Sequence, residues 1–336
     1  MGIGIDAIEY YFPKNYLTNE DFERLGVNKE FMREKIGIER RFISAEDESV
    51  GDMAVKAANK LFERQGTNRS SIDALILCTQ NPDYTLPTTA CIVQDTLGLP
   101  KSCSAFDVNL GCSGFVYSSM LAYSLINTFG FGKALVITSE AYSKVISYED
   151  KTTATIFSDA AAAVLISGNS ANSEFISFST GTDGSGFDNL IVPAGGSRMR
   201  RSPHTSVMRE YSPGVKRSDE NLFMDGHEIT KFVFREVPKS VADVISKSGQ
   251  TPEQIGKFFF HQANKYILNA LAERMSIPSS KVYVDLSRGN TVSSTIPIAL
   301  KDYFSQTPPR PETVLMCGFG VGYSWGSSIM KVFDKL

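Results

Sequence analysis

The feature that most constrains the fold of this chain is a regular alternation of short apolar, β-rich runs with amphipathic helical stretches. The run Ile72–Thr79 is typical of a buried strand, whereas apolar residues recur at helical spacing in Val50–Arg64. Such alternation is typical of α/β units that build parallel or mixed sheets. The sequence therefore predicts an α/β protein.

The same order of elements occurs in both halves of the chain, which predicts an internal duplication. The predicted strands are Ile3–Phe12, Ile72–Thr79, Ser104–Val108, Ala134–Thr138, Ala160–Ser167, Glu174–Thr180, Lys257–Phe260, Lys281–Asp285, Thr313–Met316 and Ser327–Phe333. The predicted helices are Val50–Arg64, Thr88–Leu97, Glu228–Lys247, Tyr266–Met275 and Ser293–Phe304. Gly, Asn and Ser cluster near Gly168–Ser173, so we predict one half at residues 1–170 and the other at 171–336.

Composition and charge exclude several classes of protein. The chain has 336 residues, too many for one minimal core, and a net charge of −3. This balance argues against general binding to nucleic acid or to an anionic membrane. No apolar run approaches the roughly 18 residues of a spanning helix, and the first residues do not follow the pattern of a signal peptide. We therefore expect a cytoplasmic protein.

Cysteine and histidine usage argues against a disulfide framework and against a metal site. The five cysteines form no C-x-x-C pair, and the chain contains only three histidines. Structural zinc sites draw four ligands from these residue types at close spacing. We predict neither disulfides nor a bound metal.

One cysteine lies in a sequence context that favours reactivity. Cys112 stands in DVNLGCSG, where a strand-like run ends and an apolar helical stretch begins. The N-terminus of a helix favours a thiolate, and Gly111 and Gly114 permit a sharp turn with close approach of a substrate. Cys112 is therefore a candidate nucleophile, and a buried structural thiol is the alternative.

Two further polar residues follow predicted strands. His261 ends the apolar run Phe258–Phe260, and Asn290 follows Gly289 in a turn before a predicted helix. Taken singly, His261 is explained by a structural hydrogen bond and Asn290 by local turn bonding. Taken with Cys112, they can surround one thioester carbonyl: the thiolate attacks, while His and Asn N–H groups stabilise negative charge on an oxygen.

A glycine-rich segment, GFGVGYSWG at Gly318–Gly326, separates two predicted strands. A dinucleotide-binding fingerprint requires a helix after the glycines, and a strand is predicted here instead. We interpret the segment as a turn of close backbone approach, with one N–H group helping to hold an oxyanion.

The motifs together are more specific than any one of them. DVNLGCSGF around Cys112, HQAN at His261–Asn264, GNT at Asn290 and GFGVGYSWG resemble the β-ketoacyl-acyl-carrier-protein synthase III family. The resemblance extends from KIGIERRFIS (Lys35–Ser44) to the glycine-rich segment. It implies a thiolase-like fold, with two duplicated α/β halves in a five-layer αβαβα arrangement, and a homodimer.

The resemblance also implies a reaction. Cys112 accepts an acyl group from acyl-coenzyme A, and a decarboxylative Claisen condensation with malonyl-acyl carrier protein follows. His261 and Asn290 hold the enolate oxygen, and the backbone N–H groups of Cys112 and Gly322 form the oxyanion hole. No metal or other cofactor is implied.

The substrate-binding residues are likewise implied by the resemblance. Phe31 takes the place of the entrance aromatic that stacks on adenine, and Lys35 and Lys151 align with arginines that contact coenzyme A. Asn264 belongs to the HQAN motif at the site. Leu86 falls where the family places a partner-subunit residue at the floor of the acyl pocket, and a residue smaller than Phe there would admit a longer or branched chain.

Departures from the family pattern leave alternatives open. FSDAAAA at Phe157–Ala163 replaces the usual FGDGAGA, which would reshape a turn near the site. An acyltransferase with a hydroxyl or amine acceptor would use the same Cys112 acyl-enzyme, and a non-catalytic binding protein would retain only the fold. The basic segment at residues 195–220 is either a solvated loop or a basic lip for coenzyme A or an acidic carrier protein.

Overall fold

The computed structural model describes residues 2–306 and 311–336, which form a mixed α/β structure. The strands are β1 (Gly2–Tyr11), β2 (Asn15–Thr18), β3 (Arg40–Ile43), β4 (Ala74–Cys78), β5 (Ser104–Val108), β6 (Lys133–Glu140), β7 (Ala160–Ser170), β8 (Ser173–Thr182), β9 (Leu190–Ile191), β10 (Arg209–Ser212), β11 (Val215–Arg217), β12 (Phe223–Met224), β13 (Lys257–Phe260), β14 (Glu312–Gly320) and β15 (Ser324–Val332). The α-helices are α1 (Lys29–Phe31), α2 (Val50–Gln65), α3 (Thr89–Thr96), α4 (Gly114–Phe129), α5 (Lys151–Ala154), α6 (Gly226–Ser248), α7 (Lys265–Arg274) and α8 (Thr295–Gln306).

Two large sheets organise the chain. The first has the strand order β1-β7-β6-β4-β5, and the second has the order β13-β14-β15-β8. In the first sheet β4 runs parallel to β5 and β6, whereas β7 is antiparallel to both of its neighbours. In the second, β13 and β14 are parallel and the other pairs are antiparallel. The strands of the first sheet lie within residues 2–170, and those of the second within residues 173–332.

Helices complete five layers. Helices α2 and α3 cover the outer face of the first sheet, and α6, with α7 beside it, covers the outer face of the second. Helices α4 and α8 lie between the sheets and contact strands of both. Helix α4 carries no charged residue, as expected of a helix whose first two turns are mostly buried between the sheets, and only its last turns reach the surface. The five-layer αβαβα arrangement implied by the family resemblance is thus confirmed.

One predicted strand is wrong. The segment Lys281–Asp285 forms no strand, and only Val282 makes an isolated bridge to Phe258. A tight helical turn at Ser279–Lys281 includes its first residue, and the Asp285 side chain accepts hydrogen bonds from Ser287 and turns the chain immediately after the segment. The two sheets therefore differ by one strand.

The helices of the structure bear on the prediction that no segment spans a membrane. Among residues 2–306 and 311–336, none of the helices combines the length and the apolar character that crossing a membrane requires.

Candidate active site

Cys112 lies in the turn between β5 and α4, two residues before the helix begins. The turn depends on glycine because a Cβ on Gly111 would overlap the Gln80 side chain, and one on Gly114 would overlap Cys78 Sγ. Cys112 is 6% exposed. The predicted strand–turn–helix context of this residue is therefore present.

Cys112, His261 and Asn290 line one cavity of about 80 Å³, although they come from distant parts of the chain. The other lining residues are Tyr142, Ile156, Phe157, Leu190, Met224, Gly226, Ile229, Thr230, Val233, Ala263, Asn264, Ile267, Phe319 and Gly320. Most of these side chains are apolar, so a ligand in the cavity meets few polar groups other than the three predicted ones. The structure thus brings the three residues together.

His261 follows β13 and is almost completely buried. Its Nδ1 lies 2.8 Å from Thr295 Oγ1, and its ring packs edge-on against Phe319. Burial lowers the pKa of His261 from 6.5 to about 3. The imidazole is therefore neutral at physiological pH and can donate one N–H.

Asn290 is fixed at both its side chain and its backbone. Its Oδ1 accepts a hydrogen bond from the Val292 N–H at 2.9 Å, so its Nδ2 points towards His261, 3.3 Å from Nε2. Its backbone pairs with Ile156 and Ser158, on either side of Phe157, the first residue of the FSDAAAA segment. The last four residues of that segment belong to β7, so the backbone that leads into this strand positions Asn290.

The environment of the Cys112 thiol opposes ionisation. Burial raises the pKa of Cys112, and the nearby Glu140 carboxyl raises it further. Glu140 is itself fully buried, and burial raises its pKa as well. Desolvation dominates here over the effect that the start of α4 is predicted to have on the thiol pKa. At neutral pH Cys112 is therefore a thiol and not the thiolate that its helix position predicts.

The glycine-rich turn between β14 and β15 approaches the nucleophile directly, and the two predicted strands are present but extend into the glycine-rich segment as far as Gly320 and Ser324. A Cβ on Gly320 would lie 3.0 Å from Cys112 Sγ. Gly322 has a φ of +136°, and a Cβ there would meet Ser324. Within the described part of the chain, the backbone N–H groups of Cys112 and Gly322 donate to no backbone carbonyl. The role of Gly322 as an oxyanion donor stays a prediction.

A second cavity of about 380 Å³ adjoins the first and shares with it Ile156, Met224 and Gly226. Phe31 and Lys151 line this cavity, and Phe31 is 52% exposed. The Nζ of Lys151 donates to the Pro213 carbonyl at 2.7 Å, which directs its charge towards the protein.

The other three predicted substrate-binding residues have different positions. Lys35 lines neither cavity, and its Nζ lies 5.5 Å above the centre of the Tyr266 ring. Asn264 lines the Cys112 cavity, but its Oδ1 caps α7 by accepting from the Ile267 N–H. Leu86 is 81% exposed and does not reach the cavity of its own chain.

The basic segment at residues 195–220 contains the β10–β11 hairpin, and most of its charge is paired. The ion pairs are Arg201–Glu220, Arg209–Asp219, Lys216–Glu149 and Arg217–Asp150. Arg198 and Arg200 form no ion pair with any residue that the structure describes. Ion pairing thus neutralises most of the charge on which the basic-lip interpretation depends.

A bound metal ion would require several His, Cys, Asp or Glu side chains close together. Among residues 2–306 and 311–336, no three His, Cys, Asp or Glu side chains are grouped in a way that could hold one.

Sequence reasoning missed Tyr142 and Thr295 at this site. The Tyr142 hydroxyl donates to Gln80 Oε1 at 2.7 Å, and its ring lines the Cys112 cavity against Phe157. Thr295 contacts His261 from the start of α8. Neither residue stands in a distinctive motif, because both are placed at the site by packing between elements.

Comparison with known proteins gives the family. Residues 106–184 match the family described as 3-oxoacyl-[acyl-carrier-protein] synthase III, and residues 245–332 match its C-terminal counterpart. Proteins named beta-ketoacyl-[acyl-carrier-protein] synthase III from Fusobacterium nucleatum and Clostridioides difficile are 34% and 35% identical to this chain. Both alignments cover 98% of the chain, and they cover 99% and 98% of those two proteins.

Solved structures agree with this result. A crystal structure of a 3-oxoacyl-(acyl-carrier-protein) synthase III superimposes with a TM-score of 0.93 and 38% identity, and the match covers 99% of this chain and 100% of that one. The synthase III of Thermus thermophilus gives a TM-score of 0.85 and 33% identity, with 98% of both chains covered. With the full length matched and a cysteine, a histidine and an asparagine facing one cavity, this chain belongs to the 3-oxoacyl-[acyl-carrier-protein] synthase III family of condensing acyltransferases.

Proposed function

We propose that the protein transfers an acyl group from acyl-coenzyme A to Cys112 and then condenses it with malonyl-acyl carrier protein, releasing CO2. The observation that carries this proposal is the largely apolar cavity that Cys112, His261 and Asn290 all line, with Asn290 Nδ2 3.3 Å from His261 Nε2. The names of the relatives, which refer to an acyl carrier protein, support the choice of acceptor.

In the first half-reaction, Cys112 Sγ attacks the thioester carbonyl of the donor. The carbon–sulfur bond to coenzyme A breaks, and the thiol proton leaves with that sulfur, so that the products are an S-acyl cysteine and free coenzyme A. Backbone N–H groups of Cys112 and of the Gly320–Gly322 turn would stabilise the tetrahedral oxyanion, since preorganised donors in a desolvated site act most strongly there. The 3.0 Å approach of the Gly320 Cβ position to Cys112 Sγ supports this arrangement.

In the second half-reaction, the malonyl carboxylate leaves as CO2 and its electron pair forms an enolate. The enolate carbon attacks the acyl carbonyl, a carbon–carbon bond forms, and Cys112 departs and regains a proton. His261 and Asn290 would hold the enolate oxygen through N–H groups. The lowered pKa of His261 supports this role, because a neutral ring can donate its N–H to the enolate oxygen without transferring a proton to it.

The proposal also covers how coenzyme A reaches the cavity and how two chains assemble. Phe31 and Lys151 would line the path of the coenzyme A arm, and Lys35 would contribute positive charge outside it. The exposure of Leu86 supports a homodimer in which this side chain closes the acyl pocket of the partner, and we place this homodimer in the cytoplasm. Residues 1–170 and 171–336 would be the duplicated halves, and no metal or further cofactor would take part.

The first half-reaction is tested by intact-mass spectrometry after incubation with a panel of acyl-coenzyme A thioesters. We expect a mass gain of one acyl group that Cys112→Ala abolishes. Cys91→Ala is the matched control, because Cys91 is exposed and lies outside the cavity. An adduct that survives in Cys112→Ala would contradict the assignment of the nucleophile.

The second half-reaction is tested by adding malonyl-acyl carrier protein to the acylated enzyme. We expect CO2 release together with a 3-oxoacyl product on the carrier. Acylation of a hydroxyl or amine acceptor without CO2 release would contradict the condensing step and favour the acyltransferase alternative.

A further inference from the structure

The Thr295 hydroxyl lies within hydrogen-bonding distance of both His261 Nδ1 and a backbone carbonyl. Thr295 is the first residue of α8 and is 3% exposed. Its Oγ1 lies 2.8 Å from His261 Nδ1 and 3.1 Å from the Val292 carbonyl oxygen. A hydroxyl has one proton and can donate it to only one of these two atoms.

The choice of acceptor decides which tautomer the histidine adopts. If Thr295 donates to the Val292 carbonyl, His261 must carry its proton on Nδ1 and donate it to Thr295 Oγ1. If Thr295 donates to Nδ1, the ring proton must be on Nε2. Neither arrangement leaves the hydroxyl unpaired.

The two tautomers differ at the cavity. In the Nδ1–H form, His261 Nε2 accepts from Asn290 Nδ2, which lies 3.3 Å away, and the two groups are directed at each other. In the Nε2–H form, both groups are donors, and together they can bind one oxygen atom placed between them. Only the Nε2–H form provides two N–H groups for an enolate oxygen.

We propose that Thr295 is a positioning residue that donates its hydroxyl proton to His261 Nδ1 and so holds the ring in the Nε2–H tautomer. Thr295 does not contact the reacting atoms and acts through His261. The kinetic part of this inference rests on the proposed condensing function, whereas the tautomer itself is a property of the free protein.

Thr295→Val tests the proposal because valine keeps the branched shape and removes only the hydroxyl. Without that donor, the Val292 backbone, which lies within hydrogen-bonding reach of the ring, becomes the partner of His261. A backbone carbonyl only accepts, so the proton moves to Nδ1 by exchange with solvent, and Nε2 becomes an acceptor for Asn290. Thr295→Ser restores a hydroxyl at the same place.

The first measurement is the ¹⁵N spectrum of the free protein, in which the ring nitrogens report the tautomer. The chain has only three histidines, so the His261 signals can be assigned with His261→Asn. We expect the Nε2–H form in the wild-type protein and in Thr295→Ser, and the Nδ1–H form in Thr295→Val. An Nδ1–H form in the wild type, or the same tautomer in wild type and Thr295→Val, would overturn the proposal.

The second measurement compares the two half-reactions. We expect Thr295→Val to slow malonyl-carrier decarboxylation on the order of 100-fold, the usual effect of losing one oxyanion donor, and to change Cys112 self-acylation little. Thr295→Ser should recover most of the rate. Equal losses in both half-reactions would indicate a merely structural effect and overturn the positioning role.

Thr153→Val is the matched control, because Thr153 is also fully buried and its hydroxyl also contacts a backbone carbonyl, that of Asp150. It should change neither the His261 tautomer nor the ratio of the two half-reactions. If the wild-type protein releases no CO2 from malonyl-acyl carrier protein, the proposed function fails, and the ¹⁵N spectra alone decide the role of Thr295.

Discussion

The side-chain oxygens of Ser113 and Ser324 share a buried hydrogen bond of 2.7 Å that links the two halves of the chain beside the nucleophile. Ser113 follows Cys112 directly, and Ser324 begins β15 after the glycine-rich turn. The Ser324 hydroxyl also lies 2.9 Å from the Val321 carbonyl, to which it donates. The pair therefore sets the separation between the cysteine amide and the amides of the turn.

Ser113→Ala should lower the free energy of unfolding by about 1 kcal/mol, the usual net value of one buried hydrogen bond. Ser324 keeps its bond to Val321, so no donor is left unpaired. We expect slower self-acylation as well, because the Cys112 amide is less firmly placed. Urea unfolding and intact-mass time courses measure these two effects.

The control for this pair is a double-mutant cycle of Ser113→Ala with Ser324→Ala. Residues in direct contact should show a coupling free energy of about 0.5 kcal/mol or more. Additive changes in the free energy of unfolding would show that the hydroxyls do not interact.

Gly320→Ala should abolish acylation of Cys112. Its new Cβ would lie 3.0 Å from both Sγ and Cβ of Cys112, where an incoming carbonyl must approach. Overpacking of this kind also costs about 1–3 kcal/mol of stability. Gly196→Ala is the control, since nothing lies within 4 Å of a Cβ at Gly196. Intact mass with a short acyl-coenzyme A reports the outcome, and normal acylation of Gly320→Ala would contradict the close approach.

The elements of the fold were largely predictable because their hydrophobic periodicity is strong. The helix Val50–Arg64 and the strand Ser104–Val108 agree with α2 and β5 within about one residue. The error at Lys281–Asp285 has a local cause. Its alternating apolar residues suit a strand, but the Asp285 side chain bonds to Ser287 and ends the extended run before a ladder can form.

The candidate site was predictable only where residues stand in motifs. Cys112, His261 and Asn290 each follow a strand-like run or a glycine, and the structure brings them to one cavity. The desolvation of Cys112 and the contact of Thr295 with His261 arise from packing between distant segments, on which local sequence carries no information. The position of Cys112 before a helix predicts a dipole that lowers its pKa, but burial raises that pKa and is the larger effect.

Leu86→Phe should shorten the longest acyl chain that Cys112 accepts. The exposure of Leu86 means that this effect requires a second copy of the chain, with the larger ring filling the partner's pocket. Tyr84→Ala is the control, because Tyr84 is exposed in the same segment. Intact-mass profiles over a series of acyl-coenzyme A donors measure the change. An identical profile for wild type and Leu86→Phe would contradict the pocket assignment.

The lowered pKa of His261 predicts that the protein loses stability in acid. The folded protein keeps His261 neutral down to about pH 3, whereas the unfolded chain takes up a proton below about 6.5. Proton uptake by the unfolded state lowers the free energy of unfolding as pH falls through this window, by about 1.4 kcal/mol per pH unit at most. Between pH 7 and pH 5 the expected loss from this residue is about 2 kcal/mol.

His261→Asn removes the titrating group while keeping a polar side chain, so it provides the comparison. Burial raises the pKa values of Glu140 and Asp159, but these carboxyls are present in both proteins and their effects cancel in the difference. Urea unfolding at pH 7 and pH 5 should show the wild type losing about 2 kcal/mol more than His261→Asn. Equal losses in the two proteins would mean that His261 titrates near its ordinary pKa, and the neutral donor required for enolate stabilisation would lose its physical basis.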